Sequence, residues 1–298
     1  MAQSLKSSIK IAVSSCLLGE SVRYDGTDKQ NSIITKQFTP YFNLVSLCPE
    51  VEIGMTVPRE PIKIVAHYNN SNSIELVDRN DLTLNYTSKM LSLANQQAAN
   101  LKCYGGYIVK ERSPSCGLNE TPWVSIDGEI TTLGSGFFTN SIKRTIEWLP
   151  IISELELEDN EQLDNFIERV FIVNLWHAAT KNNQLETFNK LIKHQIRIRG
   201  EKINNYDTSH YISNIMTILK KPITKQHQVN FLMSQLKEYK IESNQVSDAI
   251  KNYNKGSLCL WSVIQEFQFL FKENKIVSIS NYFYPDELEV LTRGYYFG

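Results

Sequence analysis

The sequence predicts an α/β fold: an N-terminal doubly wound, mainly parallel sheet of Rossmann-like type over residues 1–150, and a second, mostly α-helical domain over residues 151–298. Three observations carry that expectation. The runs "IKIAVSSC", "FNLVSLC" and "YGGYIVK" are short, rich in Val and Ile and apolar without alternation, as parallel strands covered on both faces are. Segments with helical spacing lie between them, and after Pro150 strand signals give way to long amphipathic stretches. A chain of 298 residues holds enough material for two cores.

The N-terminus has a polar opening and only a brief apolar run, which predicts neither a signal peptide nor a membrane span and reads as cytoplasmic. The first strand runs into Cys16, residues 30–41 supply a crossover, and the second strand leads to Cys48. "IKIVAHYNNSNSIELVD" predicts a hairpin around an Asn/Ser turn. "LTLNYTSKMLSLANQQAANL" predicts a helix with Leu84, Thr87, Leu91, Ala94, Ala98 and Leu101 on one face. The third strand continues through "ERSPS" to Cys116, "WVSIDGEITTL" predicts a hairpin turning at Asp127 and Gly128, and "TNSIKRTIEWL" closes the domain as a helix. The acidic "ISELELEDNEQLDNF" marks the boundary. Helices are then expected over 163–195, 211–220, 226–239, 245–254 and 258–273, with Gly200, Pro222 and Gly256 as punctuation.

A net charge of −1 gives no overall bias toward nucleic acid or membrane. Locally, residues 190–240 form a basic block (Lys193, Arg197, Arg199, Lys202, Lys220, Lys221, Lys225) interrupted by Tyr206 and Tyr211, compatible with backbone contact and base stacking and equally with a solvated helical face. His177, His194, His210 and His227 show no ligand spacing with the cysteines and read as helix-packing or surface residues.

Five cysteines in a chain without secretory features argue against a disulfide framework. Cys16, Cys48 and Cys116 each fall just beyond the C-terminal end of a strand, and in an open parallel sheet those ends share one crevice. Three converging thiolates without an obvious fourth ligand suggest either a zinc ion or an iron–sulfur cluster with one open coordination position. Cys103, just before a strand, and Cys259, in an apolar helical stretch, read as core. Arg23 and Asp25 flank Tyr24 in the first loop, either locking it or meeting a polar ring edge of a substrate. Arg59 and Lys110 place positive charge near the crevice. The spaced glycines of "GSGFFTN" either offer backbone amides to an anion or form a plain capped turn.

The motifs "SSCLLGESVRYDG", "CPEVEIGMTVPREP" and "VKERSPSCG" together resemble those of the thiouracil desulfidase family over about residues 8–149. The resemblance implies a [4Fe-4S] cluster on Cys16, Cys48 and Cys116, one iron free to take the sulfur of a thiolated pyrimidine, and assistance from Glu50 and Ser113. Removing sulfur from a thiocarbonyl needs a thiophilic Lewis acid and a group that moves protons, and Glu50 stands two residues from a cysteine as general acid/base. Ser113 would relay a proton or bond the ring, in a loop fixed by Pro114.

Long proteins of this arrangement are similar to desulfidases acting on 4-thiouridine in transfer RNA, which implies tRNA as a partner of the helical domain, although its middle departs from that pattern. Two other readings stand beside this one: a non-catalytic RNA-binding or iron–sulfur sensing module, and a zinc hydrolase using the three cysteines and Glu50. The chain lacks the His-x-Glu with Pro-Cys-x-x-Cys signature of zinc deaminases. Dispersed cysteines also argue against radical S-adenosylmethionine chemistry, which gathers its ligands in one short loop.

Overall fold

The computed structural model describes residues 9–39, 42–67, 73–201, 210–238, 243–257 and 263. Among them are strands β1 (Lys10–Ser14), β2 (Asn43–Leu47), β3 (Ile62–His67), β4 (Ser73–Asp78), β5 (Gly106–Val109), β6 (Thr121–Val124), β7 (Ile130–Gly134) and β8 (Ile151–Ser153). The α-helices are α1 (Pro49–Glu52), α2 (Thr87–Leu101), α3 (Phe137–Thr145), α4 (Asn160–Lys181), α5 (Leu185–Ile198), α6 (Tyr211–Leu219), α7 (Lys225–Glu238) and α8 (Asn244–Asn254). The chain divides into two compact units between Phe166 and Ile167, inside α4.

The first unit is α/β. One sheet has the order β2-β1-β5-β8 and is parallel throughout. Ile11, Ala12 and Val13 of β1 and Tyr107, Ile108 and Val109 of β5 are fully buried, which explains their unbroken apolar run. β2 is an edge strand and correspondingly more exposed. Residues 33–38 form a π-helical crossover between β1 and β2. α2 packs against α3, and both contribute to a core with Ile62, Ile64, Leu76, Tyr107 and Val109.

Both expected hairpins form, as β3–β4 and β6–β7. They are more than appendages. β3 and β6 pair in parallel, Ile64 opposite Trp123, so the two hairpins join into a second sheet of order β4-β3-β6-β7.

Several expectations are corrected. The domain boundary expected after residue 150 lies farther on, because Ile151–Ser153 pairs with β5 and Glu154 and Leu157 are buried: the acidic segment is structure, not linker. In α2 the expected Ala94, Ala98 and Leu101 are buried together with Met90 and Leu93, while Leu91 is exposed and Leu84, also exposed, precedes the helix. Cys103 is exposed rather than core, in the turn that leaves α2 before β5 begins.

In the second unit, the helix expected over 163–195 breaks into α4 and α5 at Asn183, whose φ of 55° is a left-handed stop that Asn tolerates. α6, α7 and α8 match the expected spans closely. Arg199 and Glu168 form a buried ion pair at 2.5 Å, and Arg199 also donates to the carbonyls of Gln195 and Lys221. The helix expected over 258–273 and Cys259 lie outside the described residues. No helix among the described residues is long and apolar enough to cross a membrane.

Candidate active site

Cys16 sits on the 3-10 turn Ser15–Leu18 directly after β1, Cys48 directly after β2, and Cys116 in the loop after β5. These are three adjacent strands of one parallel sheet, and chain order reverses on either side of β1, where such sheets open a crevice. A cavity of about 340 Å³ lies there, lined by all three thiols with Arg23, Glu50, Arg59, Lys110 and Ser113. Sequence separation is thus cancelled by strand order.

Each cysteine is held by its local backbone. Gly19 closes the first turn with φ 94°, in the left-handed region, and its N–H reaches the Cys16 carbonyl at 3.3 Å. After Cys48, Pro49 opens α1, where a helix needs no donor. The third loop is organised by Glu111, which the sequence reading did not single out. Its Oε1 accepts from the backbone N–H groups of Arg112 (3.2 Å), Leu118 (2.9 Å), Asn119 (3.1 Å) and Glu120 (3.0 Å). Burial alone would raise the Glu111 pKa, but these donors outweigh it and hold the carboxyl below its usual range. The Glu111 N–H in turn donates to Glu154 at 2.6 Å, and Lys110 Nζ pairs with the same Glu154.

The glycines of "GSGFFTN" serve packing rather than anion capture. The N–H groups of Gly136, Phe137 and Phe138 donate to the carbonyls of Gly117, Pro114 and Ser115, so the start of α3 is occupied by the Cys116 loop itself. A Cβ on Gly136 would stand 2.6 Å from the Ser115 backbone, a close approach that only glycine permits. The hydroxyl of Thr139 adds a bond to the Cys116 carbonyl at 2.8 Å.

Glu50 joins the second and third motifs. Its Oε2 accepts from Arg59 Nε (2.8 Å) and Nη2 (2.5 Å), and its Oε1 accepts from the Ser115 hydroxyl at 2.6 Å. Ser115 is fully buried and lies 3.1 Å from the Ser113 hydroxyl, whose oxygen accepts from the Cys116 N–H at 3.3 Å. With Ser115 committed to Glu50, Ser113 is the donor of the pair, and the chain runs Ser113 to Ser115 to Glu50. Ser113 therefore faces the cavity and Ser115 is the buried link. The two hydroxyls flanking Pro114 were the available sequence signal for Ser115.

The remaining candidates divide. Arg59 lines the cavity, but its guanidinium also donates to the carbonyls of Val22 (2.9 Å) and Thr56 (3.2 Å), so it holds Glu50 and two loops together. Arg23 lines the cavity while pairing with Asp25 at 3.3 Å and Thr27 at 2.7 Å. Asp25 is not among the lining residues: its carboxylate accepts from the Thr27 hydroxyl and N–H, which with Arg23 lower its pKa and close the turn. Arg79, not anticipated, also lines the cavity.

Burial pushes the Cys16 thiol up to about 12, and neighbouring Cys116 and Cys48 push the same way. Cys48 is likewise pushed up to about 12, first by burial and then by Cys116. A bound cationic group reverses each of these effects, so the donor set fits a thiolate-binding centre. It does not fit one ion. Zinc–sulfur bonds of 2.3 Å require thiolates about 4 Å apart, and no group of three or more His, Cys, Asp or Glu side chains among the described residues is arranged to hold a metal ion. A cluster takes each thiolate at a different iron and needs a wider opening.

The basic block of the second unit is in part engaged within the unit. Arg199 is buried with Glu168, Lys221 pairs with Glu201, and Tyr211 is buried and donates to Asn189. Lys202 and Tyr206 lie outside the described residues.

A sequence model of 2-thiouracil desulfurase matches residues 11–154, the segment that carries all three cysteines, Glu50 and both serines. An uncharacterized protein of Bacillus subtilis (strain 168), YbbK, is 32% identical over 157 residues, which is 50% of this chain and 98% of that protein. Among solved structures, a [4Fe-4S]-dependent thiouracil desulfidase, TudS, is similar at 25% identity over 51% of this chain and 94% of that one, with a TM-score of 0.38. With the match spanning β1 to β8 and nearly the whole of a relative, the chain belongs to the 2-thiouracil desulfurase family and is a desulfidase enzyme.

Proposed function

We propose that this enzyme converts a thiolated pyrimidine to the oxo pyrimidine with release of sulfide, using a [4Fe-4S] cluster held by Cys16, Cys48 and Cys116. The observation that carries the reading is the meeting of three thiols and the Ser113–Ser115–Glu50 chain in one cavity at the ends of adjacent strands. Bound there, the cluster supplies a thiophilic Lewis acid for the substrate sulfur, with one iron left open. The net reaction adds water across the thiocarbonyl carbon: a C–O bond forms, the C–S bond breaks, and sulfur leaves as hydrosulfide with no net redox change.

The protein's own groups handle the protons. Glu50, which lines the cavity, takes the proton of the attacking water, with Arg59 holding Oε2 and Ser115 bonded to Oε1. Ser113 gives its proton to the pyrimidine ring and is reprotonated by Glu50 through Ser115, along the same contacts with each hydroxyl turned from its resting direction. The cavity, at the small end of ligand sites, suits a single base. A free thiopyrimidine is therefore the favoured substrate over 4-thiouridine in transfer RNA, whose recognition surface in the second unit loses Arg199 and Tyr211 to burial.

The test is anaerobic: iron and sulfide are quantified in reconstituted protein, which is then given 2-thiouracil, 4-thiouracil and 4-thiouridine. Uracil or uridine with stoichiometric sulfide supports the reading. A cluster-loaded protein that leaves all three substrates unchanged indicates the sensing or binding module instead.

A further inference from the structure

Tyr107 lies in the middle of β5 with its side chain fully buried, its ring edge-on to Phe138 at 6.3 Å between centroids. It belongs to the same core as Cys116. Among the described residues its hydroxyl makes no hydrogen bond of good geometry, although Ser14 and Cys116 stand close to it and Cys48 is also near. A buried, unsatisfied hydroxyl is costly, and phenylalanine would fill the same space without that cost. The hydroxyl thus stands ready to donate to a neighbour that becomes a better acceptor than it is in the bare protein.

Neutral thiols accept poorly, whereas a thiolate accepts strongly. Resting on the cluster reading above, we propose that Tyr107 donates a hydrogen bond to the Cys116 sulfur when that cysteine ligates iron, making it a positioning residue that sets the reduction potential of the centre. Hydrogen bonds to cluster sulfurs stabilise the more negative reduced state and so raise the potential.

Tyr107→Phe removes only the hydroxyl. In the metal-free protein the substitution should leave the melting temperature unchanged or higher, because no native bond is lost. In the loaded protein, iron and sulfide content should stay at the wild-type level while the potential moves to more negative values and the iron–thiolate stretching bands in the resonance Raman spectrum shift. Wild-type potential and bands in the loaded variant would overturn the proposal, as would a metal-free variant that melts lower, which would mark the hydroxyl as a structural bond. Failure of the cluster reading itself is distinguishable: wild-type protein would then hold no iron and sulfide after reconstitution.

Discussion

At the scale of single residues, the site is a division of labour between groups that face the cavity and groups that hold them. Glu50 is shared between Arg59 on one oxygen and Ser115 on the other, so its geometry is set before any substrate arrives. Replacing it by Gln keeps the shape and removes the proton acceptor; turnover should fall roughly 10²- to 10⁴-fold, the usual worth of a general base, with iron content unchanged. Ser115→Ala should lose activity comparable to Ser113→Ala despite being buried, because it severs the path between Ser113 and Glu50. Steady-state rates of the variants, normalised to cluster content, decide this; a fully active Ser115→Ala would remove the relay.

At the scale of elements, the Cys116 loop is built by a carboxylate and by the start of a helix. The buried Glu111 carboxylate satisfies four backbone donors of the loop, and α3 packs its first N–H groups on the same loop. Because the folded pKa of Glu111 lies below its ordinary value of 4.5, its stabilisation is complete above that pH and is lost as pH falls through the lower folded value. Glu111→Gln should therefore cost about 1–3 kcal/mol at neutral pH, the worth of charged hydrogen bonds in a buried setting. Thermal melts should show the gap between variant and wild type closing below pH 4.5; a gap independent of pH would assign the loss to packing. Strand signals made the elements around this loop readable in sequence, but nothing local to "ERSPS" shows that its Glu gathers amides as far on as Glu120. Such long-range satisfaction has no periodicity to betray it.

At the scale of the whole molecule, charge and architecture argue for a small substrate. Of the basic residues that could have met RNA phosphates, Arg199 is buried against Glu168 and Lys221 pairs with Glu201 at the surface, while Lys193, Arg197 and Lys220 stay exposed. For free thiouracil, kcat/KM should change little between about 50 and 200 mM salt, whereas a substrate bound through 6–10 phosphates would lose roughly 10³- to 10⁵-fold. Parallel assays with 4-thiouridine-containing tRNA give the contrast; a preference for the tRNA that collapses with salt would return the second unit to RNA recognition.

The sequence by itself determined the α/β class, the placing of three thiols just beyond strand ends, and helices after the sheet as far as residue 254. It could do so because apolar runs and motif spacing are local properties that each segment carries alone. Only the tertiary structure decided that the two hairpins form a second sheet, that residues 151–153 complete the first, that Ser115 links Ser113 to Glu50, and that the buried Tyr107 hydroxyl stands beside Cys116. Those facts depend on which distant groups meet after folding, and pairing across the core is set by packing that no single segment encodes.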